Sequence, residues 1–336
     1  MVHDLDPGTG TVAANPAEVG AAHGSPRTGC CVEVGTRSMM AHARDGSATS
    51  VTDRPREPRG PARRGRGAAV SEVHLAGPDP SDGAVADLVG RLRAAGCVFA
   101  EDEARLLLDQ ATDPAGLAAM VDRRVAGVPL EHVLGWVEFA GLRLAVSDGV
   151  FVPRRRTELL ARRAAAALRP GDVLVELCCG CGAVAAAVSH AVPGLRVHAV
   201  DIDPVAVRCA RTNLPGADVA VGDLDRPLPA NLRGRVDVLV ANAPYVPSAE
   251  IARMPPEARD HEPRVALDGG ADGLDVLRRV VAAAPGWLRP GGRLLFEAGD
   301  DQLPAAVRAV TAAGLDAVVL TDPDLDASGV QATRPG

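Results

Sequence analysis

Four consecutive residues, Asn242, Ala243, Pro244 and Tyr245, have the side chains and backbone groups best suited to hold a planar amino group. They directly follow the apolar run 236–240, which is typical of a strand covered on both faces in a parallel sheet. Ligands bind beyond the carboxyl ends of such strands. The Asn242 side-chain oxygen and a main-chain carbonyl can accept the two N–H bonds of an amide or arylamine, which favours its attacking form. Pro244 stiffens the turn and Tyr245 offers a ring for stacking. An ordinary Asn-x-Pro turn is the structural alternative.

A second candidate site is the small-residue loop after the predicted strand 173–177. A loop of this kind lets free backbone N–H groups at a helix N-terminus contact a ligand. Gly180 and Gly182 permit close approach, and Cys178 is small enough to keep the loop tight. The candidate residues of this loop are Glu176, Cys178, Gly180 and Gly182, and its Gly-x-Gly spacing is compatible with a nucleotide-like ligand without requiring one. The missing third glycine and the lack of a Lys-Ser/Thr pair speak against a P-loop.

Two acidic residues extend this second site. Asp201 ends the next predicted strand, about twenty residues after the glycine loop, where a carboxylate can accept both ribose hydroxyls. It could instead cap the following helix, but Asp203 fits that role better. Asp223 follows a further strand, where it can contact an adenine amino group or simply occupy a turn. Together the two positions favour an adenosine-containing ligand.

The seven cysteines are unevenly placed and do not form a disulfide framework. Three of them, Cys178, Cys179 and Cys181, lie in the glycine loop itself. A Cys-Cys-x-Cys spacing is not that of a tetrahedral zinc site, and no nearby His completes a ligand set. We expect packing thiols and no metal ion.

Composition narrows the class of protein. The chain has 336 residues, 47% of them hydrophobic, a net charge of -7, and arginine at all 36 basic positions. The acidic balance argues against a nucleic-acid partner, because phosphate binding usually leaves a basic surface. There is no hydrophobic signal segment, and no apolar run approaches the ~18 residues that a membrane span needs. We expect a soluble cytoplasmic protein without a membrane partner.

The chain is predicted to divide into four segments. Residues 1–75 are rich in Arg, Gly and Pro and are expected to be a disordered extension, a basic tail for RNA, or the product of a misassigned start codon. Residues 76–130 show helical periodicity and predict a small bundle. Residues 131–152 predict a linking β-hairpin. Residues 153–336 alternate strands and helices, which indicates an α/β domain with a doubly wound parallel sheet whose last strand is 316–320.

The segment 242–245 resembles the Asn-Pro-Pro-Tyr signature of S-adenosylmethionine-dependent methyltransferases that modify planar amino groups. Three other segments are similar to the HemK-type protein-(glutamine-N(5)) methyltransferases, which act on the Gly-Gly-Gln motif of peptide-chain release factors. They are the run into the hairpin at 124–135, Phe-Val-Pro-Arg at 151–154, and the Gly-rich run 262–274. The resemblance covers roughly residues 81–320.

This resemblance implies a Rossmann-like class I methyltransferase sheet behind the bundle and hairpin. It implies that the loop 176–182, Asp201 and Asn242 hold S-adenosylmethionine, with Asp223 at the adenine. It also implies that Asn242 and the backbone of its motif bind the glutamine amide. The amide nitrogen would attack the sulfonium methyl in line, without a metal. The predicted bundle would help to select the protein substrate, a release factor.

The sequence departs from the family pattern at three places. Cys178 replaces the first glycine of the loop. Ala243 replaces the first proline of the segment 242–245, which we call the acceptor motif. Arg155 and Arg156 stand where the family usually has Pro-Glu. Two added positive charges near the acceptor bear on which protein is methylated, so a paralogous branch with another acceptor stays open.

Three other functions are consistent with part of the pattern. A nucleic-acid amino-group methyltransferase uses the same acceptor chemistry but needs a basic surface or a base-flipping pocket. A donor-binding protein without catalysis would tolerate loss of Asn242. A dinucleotide dehydrogenase is disfavoured by the incomplete glycine fingerprint.

Overall fold

The computed structural model describes residues 80–336. The predicted extension 1–75 lies outside the described residues.

Three helices open the described part of the chain, as predicted: α1 Pro80–Ala94, α2 Ala100–Gln110 and α3 Pro114–Val125. Asp113 caps α3, since its Oδ1 accepts a hydrogen bond from the Gly116 N–H at 2.8 Å, and a proline occupies the first turn. Apolar side chains that recur along one face of each helix pack together as a small core: Leu88, Leu92, Ala104, Leu107 and Val121.

A short helix, α4 Leu130–Leu134, leads into the predicted hairpin of β1 Trp136–Phe139 and β2 Leu142–Ala145. The two residues between the strands, Ala140 and Gly141, have φ of 51° and 77°. Positive φ at both central residues is typical of the tight turn that matches strand twist. The inner side chains of the hairpin pack into the core of the following domain, so the hairpin joins the bundle to the sheet.

The central sheet has seven strands in the order β5-β4-β3-β6-β7-β9-β8. Their bounds are β3 Val173–Leu177, β4 Arg196–Asp201, β5 Asp218–Val221, β6 Val236–Ala241, β7 Leu288–Glu297, β8 Asp316–Asp322 and β9 Ala327–Thr333. The order reverses between β3 and β6, which creates a crevice at the carboxyl ends of these two strands.

The sheet is mixed, whereas the sequence predicted a parallel sheet whose last strand is 316–320. Strand β9 lies between β7 and β8 and is antiparallel to both. Its Ala-Ser-Gly-Val-Gln-Ala-Thr sequence has mostly small and polar residues, which are weak strand formers. The small residues serve close packing, because a Cβ on Gly329 would lie 2.3 Å from the Phe296 carbonyl oxygen.

Helices cover both faces of the sheet, which confirms the doubly wound architecture. One face carries α5 Glu158–Ala167, α6 Ala183–Ala191 and α7 Pro204–Asn213. A short helix, α8 Pro256–His261, lies in the connection after β6. The other face carries α9 Asp275–Trp287 and α10 Leu303–Ala312.

Candidate active site

The structure brings the two predicted site segments to one edge of the sheet. Strands β3 and β6 are parallel neighbours with Leu177 opposite Ala241. The next residues, Cys178 and Asn242, therefore leave the sheet side by side at the reversal of strand order. Every residue of both strands is buried, which explains why the two segments that leave them are rigidly placed.

Asn242 has a side chain whose two ends differ. Its Nδ2 donates a hydrogen bond to Thr157 Oγ1 at 3.3 Å. Its Oδ1 is buried and has no hydrogen-bond partner among residues 80–336. An unpaired buried acceptor costs about 1–3 kcal/mol, so it is retained where a ligand donor uses it. Within the same residues the Ala243 carbonyl also accepts no hydrogen bond. The pair of acceptors matches the two N–H groups of a primary amide.

Tyr245 is held by charged neighbours. Its hydroxyl donates to Glu297 Oε1 at 2.8 Å and accepts from Arg156 Nη2 at 2.5 Å. Burial and the adjacent Glu297 carboxylate raise the pKa of the Tyr245 hydroxyl well above its usual value. The hydroxyl therefore stays protonated and holds the ring by its far end. Stacking of the ring on an acceptor stays a prediction.

The two arginines that depart from the family pattern have different surroundings. Arg156 Nε donates to Glu297 Oε1 at 2.7 Å, so its charge is paired inside the protein. Arg155 is half-buried and makes no ion pair with any residue from 80 to 336. Of the two added positive charges, that of Arg156 is therefore paired with Glu297, whereas that of Arg155 has no ion pair among residues 80–336.

The glycine loop is tight and strained. Cys178 has φ of 54°, in the left-handed region that favours glycine, which explains the glycine usual at this position. Gly182 has φ of 77°, and a Cβ there would lie 2.7 Å from Leu214 Cδ1, so both the backbone and the space favour glycine. Cys179 and Cys181 are buried in the core, which confirms their packing role. Glu176 is buried beneath the loop.

The Glu176 carboxylate reaches the first turn of α6, where its Oε2 accepts from the Ala185 N–H at 2.8 Å. Burial raises the pKa of Glu176 to about 8.

Asp201 connects the end of β4 to the loop. Its Oδ2 accepts from the Gly180 N–H at 2.8 Å, and its Oδ1 accepts from the Asp203 N–H at 2.9 Å. Asp203 caps α7 through the Val205 N–H at 2.7 Å, as predicted. Burial raises the pKa of Asp201. Binding of ribose hydroxyls by Asp201 stays a prediction.

Asp223 has a partner that the sequence did not indicate. Both of its oxygens accept from Arg279 Nη2 at 2.7 Å, and Arg226 lies at 3.4 Å. Arg279 lies in α9, far from Asp223 in sequence. The Asp223 carboxylate is thus already paired with Arg279. Its contact with adenine stays a prediction.

The Gly-rich run 262–274 and the side chain of Gln302 pack against the backbone of the acceptor motif. Gln302 Nε2 donates to the Tyr245 carbonyl at 2.9 Å. A Cβ on Gly273 would lie 2.2 Å from that same carbonyl, and a Cβ on Gly269 would lie 2.7 Å from the Pro244 carbonyl. From sequence, this segment stood out only by its resemblance to the family. Its Gly-Gly-x-x-Gly spacing was the available signal of close backbone packing.

Metal-binding clusters and membrane-spanning helices are absent from the described part of the chain. Residues 80–336 contain no group of three or more His, Cys, Asp or Glu side chains placed to hold a metal ion. No helix in that range is long and apolar enough to cross a membrane.

Comparisons with known proteins give the family. The sequence model of the methyltransferase small domain matches residues 143–255. The release factor glutamine methyltransferase of Mycolicibacterium smegmatis is 42% identical over 217 residues, 62% of this chain and 76% of that protein. The enzyme of the same name from Bradyrhizobium diazoefficiens is 36% identical over 272 residues, 72% of this chain and 90% of that protein. A solved release factor-specific protein-(glutamine-N5) methyltransferase from Alicyclobacillus acidocaldarius is 22% identical, with TM-score 0.35 over 55% of this chain and 95% of that one. The chain belongs to the family of release factor glutamine methyltransferases.

Proposed function

We propose that this protein transfers a methyl group from S-adenosylmethionine to the side-chain amide nitrogen of a glutamine, in the Gly-Gly-Gln motif of a peptide-chain release factor. The observation that supports this most strongly is the unpaired, buried Asn242 Oδ1 beside the free Ala243 carbonyl. The names of the relatives support the same reaction and the same class of substrate. Because release factors act on ribosomes, this activity would take place in the cytoplasm.

Asn242 and Ala243 would bind the glutamine by its nitrogen. An amide nitrogen is a poor nucleophile because its lone pair is delocalised into the carbonyl. Two acceptors on its N–H bonds favour the pyramidal nitrogen, so they stabilise the transition state more than the ground state. Pro244 is buried and keeps the turn rigid, which holds both acceptors in place.

The glycine loop would hold the methyl donor. Glu176, Cys178, Gly180, Gly182 and Asp201 line or fasten this loop at the end of β3, next to Asn242. S-adenosylmethionine supplies a methyl group on a positively charged sulfur. The loop lets the backbone approach this ligand closely. The protein's main contribution would be to align the two reactants and exclude water.

The three-helix bundle would contribute to recognition of the protein substrate. The choice of a release factor is supported by the pairing of Arg156 with Glu297, which removes one of the two charges that distinguish this chain. Arg155 is the residue left to contact an acidic group of the substrate.

The test is transfer of labelled methyl from S-adenosylmethionine to a release factor that carries Gly-Gly-Gln. Its Gln→Ala variant and total nucleic acid are the control acceptors. We expect label on the Gly-Gly-Gln protein alone, and turnover at least about 100-fold lower with Asn242→Ala while donor binding persists. Label on nucleic acid, or on the Gln→Ala protein, would contradict the proposal.

A further inference from the structure

A side-chain amide has two ends of nearly equal size, and only one of them can act here. The oxygen of Asn242 must face the substrate nitrogen, because its NH₂ end would place donors against donors. Rotating the Asn242 amide by 180° exchanges its oxygen and its NH₂ group, so neighbouring groups must favour one of these two orientations. The neighbours of Asn242 supply that selection.

Thr157 lies at the centre of this arrangement. Its hydroxyl donates its only hydrogen to Glu297 Oε2 at 2.8 Å, and an ionised carboxylate can only accept. The Thr157 oxygen is then left as an acceptor for the amide of Asn242. Only the NH₂ end of the amide can satisfy it, and Nδ2 lies 3.3 Å away. The opposite end, Oδ1, consequently points away from Thr157.

Glu297 is fixed in turn by three donors. Its Oε1 accepts from Arg156 Nε at 2.7 Å and from the Tyr245 hydroxyl at 2.8 Å, while Oε2 accepts from Thr157. Thr157 and Glu297 are 3% and 5% exposed, so water does not compete for these contacts. Glu297 ends β7 and Asn242 follows β6, and these strands pair with Ala241 opposite Phe296.

We infer that Thr157 and Glu297 are positioning residues that fix the Asn242 amide with its oxygen toward the acceptor glutamine. This inference rests on the proposed function. Thr157 and Glu297 act through Asn242 and need not touch the substrate. Arg156, which departs from the family pattern, belongs to the same arrangement through its ion pair with Glu297.

A matched pair of substitutions tests the inference. Thr157→Val keeps the shape of the side chain and removes the hydroxyl, whereas Thr157→Ser keeps the hydroxyl. We expect Thr157→Val to lower kcat about 10-fold, the size of one lost hydrogen bond, with unchanged donor affinity. Thr157→Ser should stay within about threefold of wild type. Wild-type kcat in Thr157→Val would overturn the inference.

A double-mutant cycle separates positioning from general damage. If Thr157 acts through Asn242, Thr157→Val should slow the Asn242→Ala enzyme by less than about twofold. An undiminished 10-fold effect in that background would show that Thr157 acts by another route, and would overturn the inference.

A readout that does not depend on activity distinguishes this inference from the proposed function. The side-chain ¹⁵N–¹H₂ signals of Asn242, assigned by their loss in Asn242→Ala, report its hydrogen bond to Thr157. We expect Thr157→Val to shift these signals and speed their exchange with water, and Thr157→Ser to leave them near the wild-type position. Signals unmoved by Thr157→Val would overturn the positioning role. Absence of methyl transfer by the wild-type enzyme, with the signals behaving as expected, would instead refute the proposed function.

Discussion

Substituting Gly273 by alanine should shift the backbone of the acceptor motif at Tyr245. The new Cβ would lie 2.2 Å from the Tyr245 carbonyl oxygen and 2.3 Å from Gln302 Nε2. The Gln302 side chain can swing away, but the carbonyl belongs to the backbone of the motif and must shift by about 1 Å to reach ordinary contact. A misplacement of that size costs about 100-fold in rate when it reaches the reacting groups. We therefore expect kcat to fall by about 100-fold.

Stability should fall as well, for two separable reasons. Gly273 has φ of 77°, where an alanine costs about 1–2 kcal/mol. Overpacking against a backbone carbonyl adds about 1–3 kcal/mol. The chain offers a matched control in Gly314, which has φ of 76° and space for a methyl group, with nothing within 4 Å of an added Cβ. Gly314→Ala should show the backbone cost alone and leave kcat unchanged.

The assay compares urea unfolding and methyl transfer for the two variants. Donor affinity, measured by calorimetry, should be similar in both, because Gly273 supports the acceptor motif and not the glycine loop. A folded Gly273→Ala enzyme whose kcat lies within about threefold of the Gly314→Ala enzyme would refute the supporting role of this segment.

Three more substitutions test other parts of the site and fold. Asp201→Ala should weaken donor binding by about 10-fold or more, since it removes a carboxylate from the loop and frees the Gly180 N–H; unchanged affinity by calorimetry would refute the ribose assignment. Cys178→Gly should raise the free energy of unfolding by about 1 kcal/mol by relieving a φ of 54°, and a lower urea midpoint would contradict this. Glu131 is fully buried, neither of its oxygens has a hydrogen-bond partner within residues 80–336, and burial raises its pKa from 4.5 to about 7. The native state therefore holds an extra proton between these values and loses stability as pH rises through them. Glu131→Gln should unfold at higher urea than wild type at pH 8 and lose most of that advantage at pH 5, and an equal difference at both pH values would contradict the assignment.

The positions of most candidate site residues in the fold were predictable because each residue directly follows or ends a recognisable strand. Strand β6 is apolar except for Asp237, and Asn242 directly follows it, so the place of Asn242 at the end of the strand could be inferred from the sequence. The same holds for the loop after β3 and for Asp201 at the end of β4. Parallel strands bring such ends to one edge, which is why separate segments of sequence predict one site.

The remaining parts could not be predicted because they depend on contacts between distant residues. Thr157 lies 85 positions from Asn242, and Glu297 lies 140 positions from Thr157. Neither residue belongs to a motif with an evident chemical role. Glu297 comes close to Asn242 only when strands β6 and β7 pair. The same reason explains why Arg156 looked like a free charge from sequence, although its partner Glu297 is 141 positions away.

One carboxylate therefore holds both ends of the acceptor motif. Glu297 binds Tyr245 directly at 2.8 Å and reaches Asn242 through Thr157. Since Arg156 bonds both Glu297 and the Tyr245 hydroxyl, its positive charge is paired within the protein and keeps these side chains together. Arg156 departs from the family pattern, but its contacts are thus consistent with the family's reaction. Arg155, the neighbouring cation without an ion pair in the described range, and the helical bundle are then the parts of the chain to test for a difference in the choice of protein acceptor.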